Sequence, residues 1–187
     1  MTNKMIFAGF GGQGVLLMGF LTALTAMRQG KNVTYLPAYG AEVRGGTANC
    51  TVVISDEEIA SPVASNPDFV IVMNNPSLVR FANMIAPGGT LLINSSLVHG
   101  EIKRDDVTVV PVPLNELAHE LGENRSANVI MVGALAQATG VLTIEALKEA
   151  LAETGLGKKP KVLELNRRAL EVGAKSARQA LAKEKSA

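Results

Sequence analysis

Short apolar runs alternate with longer amphipathic segments over roughly the first 110 residues of the chain. The short runs predict β-strands at residues 4–8, 32–36, 47–55, 69–73, 90–93 and 107–112. Helices are predicted at residues 14–28 and 76–85, and the second begins with proline and stops before a Pro-Gly-Gly turn. This succession predicts an α/β fold of three layers, a mainly parallel sheet with helices on both faces.

The third predicted strand differs from the others because its apolar positions alternate. Ala48, Cys50, Val52 and Ile54 share one face, which is typical of a half-buried strand, whereas the nearly continuous apolar runs suit strands covered on both sides. Cys50 therefore falls on the buried face. A small thiol in that position is expected to serve packing rather than redox chemistry.

The C-terminal third is predicted to be helical, with helices at residues 114–121, 128–139, 144–153 and 162–183. Asn128 and Thr143 stand where two of these helices begin and are expected to be their N-caps. The last helix carries an apolar stripe at helical spacing, which favours docking on the chain's own sheet and leaves docking on another subunit as the alternative.

Composition narrows the classes of protein that the chain can belong to. With 187 residues, 47% of them hydrophobic, it can bury one sizeable core, so a single domain is expected over residues 1–187. A formal net charge of +1 does not favour a nucleic-acid partner. One cysteine forms no internal disulfide and does not suffice for an iron–sulfur cluster, which indicates a cytoplasmic protein. Glycines interrupt the first apolar run, so neither a signal peptide nor a membrane span is expected.

Four glycines stand between the first strand and the first helix. Gly9, Gly11 and Gly14 have the spacing G-x-G-x-x-G, with Gly12 and Gln13 between them. Missing side chains let a phosphate approach the backbone, and a helix N-terminus supplies free amides and partial positive charge. No Lys-Ser or Lys-Thr pair follows, and residues 31–41 contain no acidic side chain for a ribose, so a P-loop and an NAD site are both disfavoured. The alternative is that the glycines only allow tight packing.

A second candidate segment, YGAEVRGGTANC, covers residues 39–50. In a parallel sheet it emerges at the same carboxyl edge as the glycine turn, where α/β folds bind ligands. Glu42 and Arg44 project to one side if the segment is extended, and Gly45 and Gly46 allow a sharp bend. We expect Tyr39 and these residues to complete the anion site. The alternative is a surface ion pair between Glu42 and Arg44, which contributes little.

Together, GFGGQGV, YGAEVRGGTANCTVVIS and ANVIMVGALAQATG resemble the gamma subunit of the 2-oxoacid:ferredoxin oxidoreductases, over most of the chain. The resemblance implies oxidative decarboxylation of a 2-oxoacid to its acyl-CoA with reduction of ferredoxin. It also implies thiamine diphosphate, Mg²⁺ and [4Fe-4S] clusters on alpha, beta and delta subunits, and no catalytic residue in this chain. The glutamate that assists thiamine diphosphate belongs to another subunit in this family, so Glu42 is not expected to take that role.

By the same resemblance, the glycine turn and Arg44 help to bind the phosphates of coenzyme A or shape the active-site wall. The segment NRRAL at residues 166–170 is closer to the 2-oxoglutarate enzymes than to the pyruvate ones, and 2-oxoglutarate is preferred to pyruvate and 2-oxoisovalerate. A free-standing nucleotide-binding or regulatory domain is the competing hypothesis.

Overall fold

The computed structural model describes residues 1–39 and 46–184. Six strands and six α-helices follow one another in these ranges. The strands are β1 (Thr2–Phe10), β2 (Asn32–Tyr39), β3 (Thr47–Ser55), β4 (Phe69–Val72), β5 (Thr90–Asn94) and β6 (Thr108–Val112). The helices are α1 (Val15–Arg28), α2 (Asn75–Phe81), α3 (Leu114–Leu121), α4 (Ala127–Thr139), α5 (Ile144–Glu153) and α6 (Pro160–Glu184).

The six strands form one sheet in the order β2-β3-β1-β4-β5-β6. The pairs β1–β4, β4–β5 and β5–β6 are parallel. Strand β3 is antiparallel to both of its neighbours, β1 and β2, so five strands point one way and β3 points the other. The α/β class is confirmed, and the sheet is mixed on the side where β2 and β3 form a hairpin.

Apolar side chains of the central strands alternate between two cores, one on each face of the sheet. In β1, Met5 and Phe7 belong to the core under α1, α4, α5 and α6. Ile6 and Ala8 belong to the smaller core under α2. Because successive strand residues point to opposite faces, the continuous apolar runs of the sequence serve both cores at once.

Strand β3 follows the predicted alternation where it faces the larger core, but Val53 and Ser55 on the opposite face are buried as well, so the end of the strand is covered on both faces rather than half-buried. Cys50 and Val52 are fully buried there and pair in register with Phe7 and Met5 of β1. The Cys50 thiol donates a hydrogen bond to the carbonyl oxygen of Val15 (Sγ–O 3.7 Å). The predicted packing role of Cys50 agrees with this position.

Helices α4 and α6 cross at two glycines. A Cβ added to Gly133 would lie 2.8 Å from Leu170 Cα, and one added to Gly173 would lie 2.9 Å from the nitrogen of Ala134. Real Cβ atoms essentially never come this close to backbone atoms, so both positions need hydrogen in place of a side chain. The last helix therefore packs mainly against α4 and touches the sheet at β6, whereas the prediction was docking on the sheet.

Two helix starts differ in how well the sequence predicts them. Thr143 is the N-cap of α5, and its Oγ1 accepts a hydrogen bond from the amide of Ala146 (3.2 Å). The expectation that Asn128 caps α4 is wrong, because a short 3₁₀ turn at Asn124–Ser126 leads into the helix and Ser126 takes the cap position.

Candidate functional site

The glycine turn joins β1 to α1 at the carboxyl edge of the sheet, as predicted. The amide of Gly11 donates to the carbonyl oxygen of Gly46 (2.9 Å), and the amide of Gln13 donates to that of Phe10 (3.1 Å). Gly12 and Gly14 have φ angles of 98° and 73°, in the left-handed region where glycine costs least. The turn is thus hydrogen-bonded to the residue before β3 and then changes direction to start α1.

Gly9 has a different role from the two glycines with positive φ. It is buried in β1, and a Cβ placed on it would lie 2.7 Å from both Gln13 Oε1 and Val15 Cγ2. A side chain at this position would push the turn and the first residue of α1 away from the strand. For Gly9 the structure therefore favours the alternative that the glycine allows tight packing.

Gln13 points back into the protein rather than into the open space in front of the turn. Its Oε1 accepts hydrogen bonds from the amide of Phe10 (2.7 Å) and from Asn74 Nδ2 (3.1 Å). Its Nε2 donates to the carbonyl oxygen of Met73 (3.2 Å). The side chain that the sequence grouped with a ligand site is used to tie β1 to the end of β4.

Gly14 is the residue from which α1 starts, and Asn128 of α4 packs directly against it. A Cβ added to Gly14 would lie 2.8 Å from Asn128 Cγ. The Asn128 side chain is 91% buried (9% exposed), and its Oδ1 accepts from the amide of Val129 (2.9 Å). The long-range contact with Gly14 thus replaces the capping role that the sequence suggested.

A cleft of about 510 Å³ opens in front of the turn, between α1 and the hairpin of β2 and β3. It is lined by Phe10, Gly11, Gly12, Gly14, Val15, Leu16, Leu17, Tyr39, Gly46, Thr47 and Ala48. Gly11, Gly12, Gly14, Tyr39 and Gly46 of the predicted site are thus brought together, whereas Gly9 and Gln13 lie behind the turn. The predicted Glu42, Arg44 and Gly45 lie outside the described residues.

The start of α1 presents unpaired backbone donors to this cleft. The first hydrogen bond of the helix in the described ranges runs from the amide of Met18 to the carbonyl oxygen of Gly14 (3.0 Å). The amides of Val15, Leu16 and Leu17 precede it and have no partner among the described residues. Three amides of a first helical turn, together with the helix dipole, favour an anion.

Apolar and hydroxyl side chains of the cleft lining were not predicted from the sequence. Leu16 and Leu17 occupy the first turn of α1, and Thr47 and Ala48 begin β3. Two signals in the sequence could have predicted these residues. Leu16 and Leu17 come shortly after the glycine turn, and Thr47 and Ala48 start the strand that contains the end of the second candidate segment. Their side chains make the cleft mostly apolar, so it fits a ligand that carries more than a phosphate.

Tyr35 joins β2 to α1, the elements on the two sides of the cleft. Its hydroxyl donates to the carbonyl oxygen of Leu16 (3.0 Å), and its ring meets that of Phe20 edge-on at 6.3 Å. Burial first, and then the nearby Cys50 and Tyr39, raise the pKa of Tyr35 to about 12. Burial likewise raises the pKa of Cys50 to about 12, so neither group ionises near neutral pH.

The described ranges contain neither a metal site nor a membrane-spanning helix. Residues 1–39 and 46–184 contain no group of three or more His, Cys, Asp or Glu side chains arranged to hold a metal ion. None of the helices described is at once long enough and apolar enough to span a bilayer.

Comparison with known proteins gives a family match over most of the chain. Residues 4–176 match the family described as pyruvate ferredoxin/flavodoxin oxidoreductase. Ketoisovalerate oxidoreductase subunit VorA of Methanothermobacter thermautotrophicus is 41% identical over 178 residues, 94% of this chain and 36% of VorA. The chain therefore spans only about a third of that relative. The 2-oxoglutarate synthase subunit KorC of Methanothermobacter marburgensis is 34% identical over 158 residues, 81% of this chain and 85% of KorC.

Solved structures share the fold described above. The gamma subunit of keto/oxoacid ferredoxin oxidoreductase from Geobacter sulfurreducens has a TM-score of 0.80 at 28% identity, over 95% of this chain and 99% of that one. The 2-oxoglutarate:ferredoxin oxidoreductase of Magnetococcus marinus, with 2-oxoglutarate, coenzyme A and succinyl-CoA bound, has a TM-score of 0.85 at 27% identity, over 95% of this chain and 31% of that one. By the match over residues 4–176, the chain belongs to the pyruvate ferredoxin/flavodoxin oxidoreductase family.

Proposed function

We propose that the chain is the gamma subunit of a 2-oxoacid:ferredoxin oxidoreductase and that its cleft binds the phosphate-bearing part of coenzyme A. The whole enzyme would convert a 2-oxoacid and coenzyme A to acyl-CoA and CO₂, and two electrons would pass to ferredoxin. The family match and the KorC relative of comparable length support the assignment. Coenzyme A bound to the Magnetococcus enzyme supports the choice of ligand.

The chemistry of decarboxylation would belong to other subunits. Thiamine diphosphate stabilises the carbanion that loss of CO₂ leaves behind, and no Gly-Asp-Gly motif with a following Asn that would hold it is found in this sequence. A cubane cluster takes four cysteine thiolates, and the chain has one cysteine. The residues of this chain therefore do not fit either group, and its role is to bind and orient coenzyme A.

The observation that carries the proposal is the set of unpaired α1 amides at the wall of an otherwise apolar cleft. The amides of Val15, Leu16 and Leu17 supply donors for phosphate oxygens. Gly12, where an added Cβ would meet open space, leaves room for the phosphate to approach. The apolar parts of Phe10 and Tyr39 suit the nucleoside or pantetheine portion of the same ligand.

Positive charge would come from the segment between β2 and β3. No lysine or arginine is among the described residues that line the cleft, so its attraction for an anion rests on backbone dipoles. Arg44 is the cation that the sequence adds, and Glu42 and Gly45 complete the segment. We propose that Arg44 binds a phosphate of coenzyme A once the subunits are assembled.

For the substrate we propose 2-oxoglutarate. The NRRAL segment at residues 166–170 and the KorC relative support this choice, and the more similar VorA, which is more than two and a half times as long as this chain, makes 2-oxoisovalerate the alternative. Alpha, beta and delta subunits and ferredoxin would complete the enzyme, and the 2-oxoacid side chain would be recognised largely by those subunits. A free-standing nucleotide-binding domain is not favoured, because the relatives are named as subunits of oxidoreductases.

Thr47 offers a direct test of the anion site. It is the first residue of β3 and is exposed at the cleft wall, so its replacement does not disturb the core. In the assembled enzyme we expect Thr47→Glu to raise the Michaelis constant for coenzyme A about tenfold, because an added carboxylate repels phosphate by about 1–2 kcal/mol at this range. Thr47→Gln has nearly the same shape without the charge and is the control.

The decisive result is the difference between the Michaelis constants of Thr47→Glu and Thr47→Gln for coenzyme A. It should shrink at high salt, because screening weakens the repulsion between exposed charges. Equal Michaelis constants for coenzyme A in the two variants and in the unaltered enzyme would place the phosphates elsewhere.

A further inference from the structure

We propose that Gln13 is a positioning residue of the cleft, one that sets where the amides of α1 lie without touching the ligand. This inference rests on the proposed coenzyme A site, and it assigns to Gln13 a role behind that site. The carboxamide joins the ends of two parallel strands, β1 and β4. It does so at the point where the chain leaves β1 to form the glycine turn.

The hydrogen bonds of Gln13 leave its acceptor no capacity for a ligand. A carboxamide oxygen has two lone pairs, and Oε1 of Gln13 accepts from the amide of Phe10 (2.7 Å) and from Asn74 Nδ2 (3.1 Å). One proton of Nε2 is donated to the carbonyl oxygen of Met73 (3.2 Å). The side chain is thereby held in one orientation.

The partners of Gln13 are themselves fixed by the sheet and by α2. The Met73 amide donates to the carbonyl oxygen of Ala8 (2.9 Å), which continues the β1–β4 ladder by one step. Asn74 is the N-cap of α2, and its Oδ1 accepts from the amide of Ser77 (2.9 Å). Gln13 is thus anchored to two elements on the far side of the turn from the cleft.

The consequence is a turn that is attached at two points, its β1 end and its middle. Gln13 holds the β1 end against Met73 and Asn74, and Gly9 leaves it the room to do so. The Gly11 amide ties the middle of the turn to Gly46. The direction in which α1 departs, and with it the direction of its three unpaired amides, follows from these attachments. Loss of the Gln13 hydrogen bonds should therefore weaken phosphate binding, although Gln13 does not touch the ligand.

Gln13→Glu tests the donor half of this arrangement. The introduced carboxylate still accepts from Phe10 and Asn74, but in its ionised form it donates nothing to the Met73 carbonyl oxygen. At pH 8 we expect the Michaelis constant of the assembled enzyme for coenzyme A to rise about three- to tenfold, as one neutral hydrogen bond is lost. The maximal rate at saturating coenzyme A should stay within about twofold, since uniform binding is affected.

The pH profile separates positioning from general damage to the fold. Partial burial and the facing Met73 carbonyl oxygen should raise the pKa of the introduced carboxyl above its usual range. Its protonation restores a donor, so the ratio of variant to unaltered Michaelis constants should fall as the pH is lowered from 8 to 5.5. Gln13→Leu should show the defect without that recovery. Gln137→Glu adds the same charge on α4, where the side chain instead accepts from Arg178, and its ratio should stay near one at every pH.

Hydrogen exchange of the full-length chain gives a readout that does not depend on coenzyme A. In Gln13→Leu the hydrogen-bonded amides of Phe10, Gly11 and Met18 should exchange at least tenfold faster than in the unaltered chain, with β5 and β6 unchanged. Unaltered exchange and an unaltered Michaelis constant in both Gln13 variants would overturn the proposal. Faster exchange with an unaltered Michaelis constant would uphold the role of Gln13 in the turn and overturn the coenzyme A function.

Discussion

Single residues of the glycine turn have separate physical tasks, although the sequence shows them as one motif. Gly9 makes room for Gln13 and Val15, Gly12 and Gly14 adopt positive φ, and Gly11 donates to Gly46. The sequence predicted where the turn lies and which edge of the sheet it reaches. It did not predict the division of tasks, because that depends on Met73, Asn74 and Asn128, which lie 60 or more residues further along the chain.

Cys50 makes a residue-scale prediction about alkaline pH. Burial raises its pKa to about 12, whereas the thiol of an unfolded chain ionises near pH 8.5. Between these values the unfolded chain binds fewer protons than the folded one, so the free energy of unfolding falls as the pH rises. The loss should reach about 3 kcal/mol by pH 11 and should be absent below about pH 8.

Chemical denaturation of the full-length chain from pH 7 to 11 measures this slope, with Cys50→Ala as the control. The variant is less stable throughout because it leaves a cavity, but its stability should fall less steeply above pH 9. Tyr35 also has a raised pKa, mainly through burial and secondarily through Cys50, so the difference between the two slopes reports Cys50 together with its smaller effect on Tyr35. Parallel curves for the two proteins would contradict the assignment.

Among the elements, β3 is the one whose direction the sequence analysis did not foresee. Seven residues separate Tyr39 from Thr47, and a parallel crossover takes about a dozen or more, so the short connection was a usable signal for a hairpin. The alternation of Cys50, Val52 and Ile54 correctly predicted which face is buried, because that pattern depends on burial and not on strand direction. The Asn128 contact had no comparable signal, since nothing local distinguishes it from a cap.

The crossing of α4 and α6 predicts an unusual response to Gly→Ala substitution. In an exposed helix interior, alanine is about 1 kcal/mol more favourable than glycine. At Gly133 and Gly173 the added methyl group would collide with the backbone of the partner helix, so we expect Gly133→Ala and Gly173→Ala to destabilise the chain by about 2–4 kcal/mol through overpacking.

Thermal unfolding of the two glycine variants measures this cost. Lys175→Ala, on the exposed side of α6, is the control for helix propensity and should change stability by no more than about 0.5 kcal/mol. A rise in the melting temperature of either glycine variant would mean that the helices are further apart than described.

At the scale of the whole molecule, helices cover the sheet unequally, and within residues 1–39 and 46–184 no strand pairs with the outer edge of β2. Helices α1, α4, α5 and α6 pack over one face, and α2 lies on the other. Leu36 and Tyr39 of edge strand β2 are 45% and 69% exposed, and Phe20 of α1 is 44% exposed. Apolar side chains at an unpaired strand edge accord with a chain that functions with partners.

The isolated chain is expected to show no catalysis of its own. With thiamine diphosphate, Mg²⁺ and coenzyme A supplied, it should reduce no viologen dye in the presence of 2-oxoglutarate, pyruvate or 2-oxoisovalerate. The control is the enzyme isolated with this chain from native extract, which should reduce the dye with 2-oxoglutarate. Turnover by the pure chain would refute the subunit assignment, and an assembled enzyme that uses pyruvate or 2-oxoisovalerate instead would refute the proposed substrate.

The residues that line the cleft are close together in the sequence, whereas the residues that hold its turn in place come much later. This order affects how the cleft forms while the chain is being synthesised. Every described lining residue lies between positions 10 and 48, whereas Met73, Asn74 and Asn128 hold the turn from later in the chain. A ribosome adds about 5–20 residues each second, so the lining emerges several seconds before Asn128 does. Until then the nascent chain carries the residues of the cleft without the later side chains that hold its turn, so the cleft is complete only after α4 has been made.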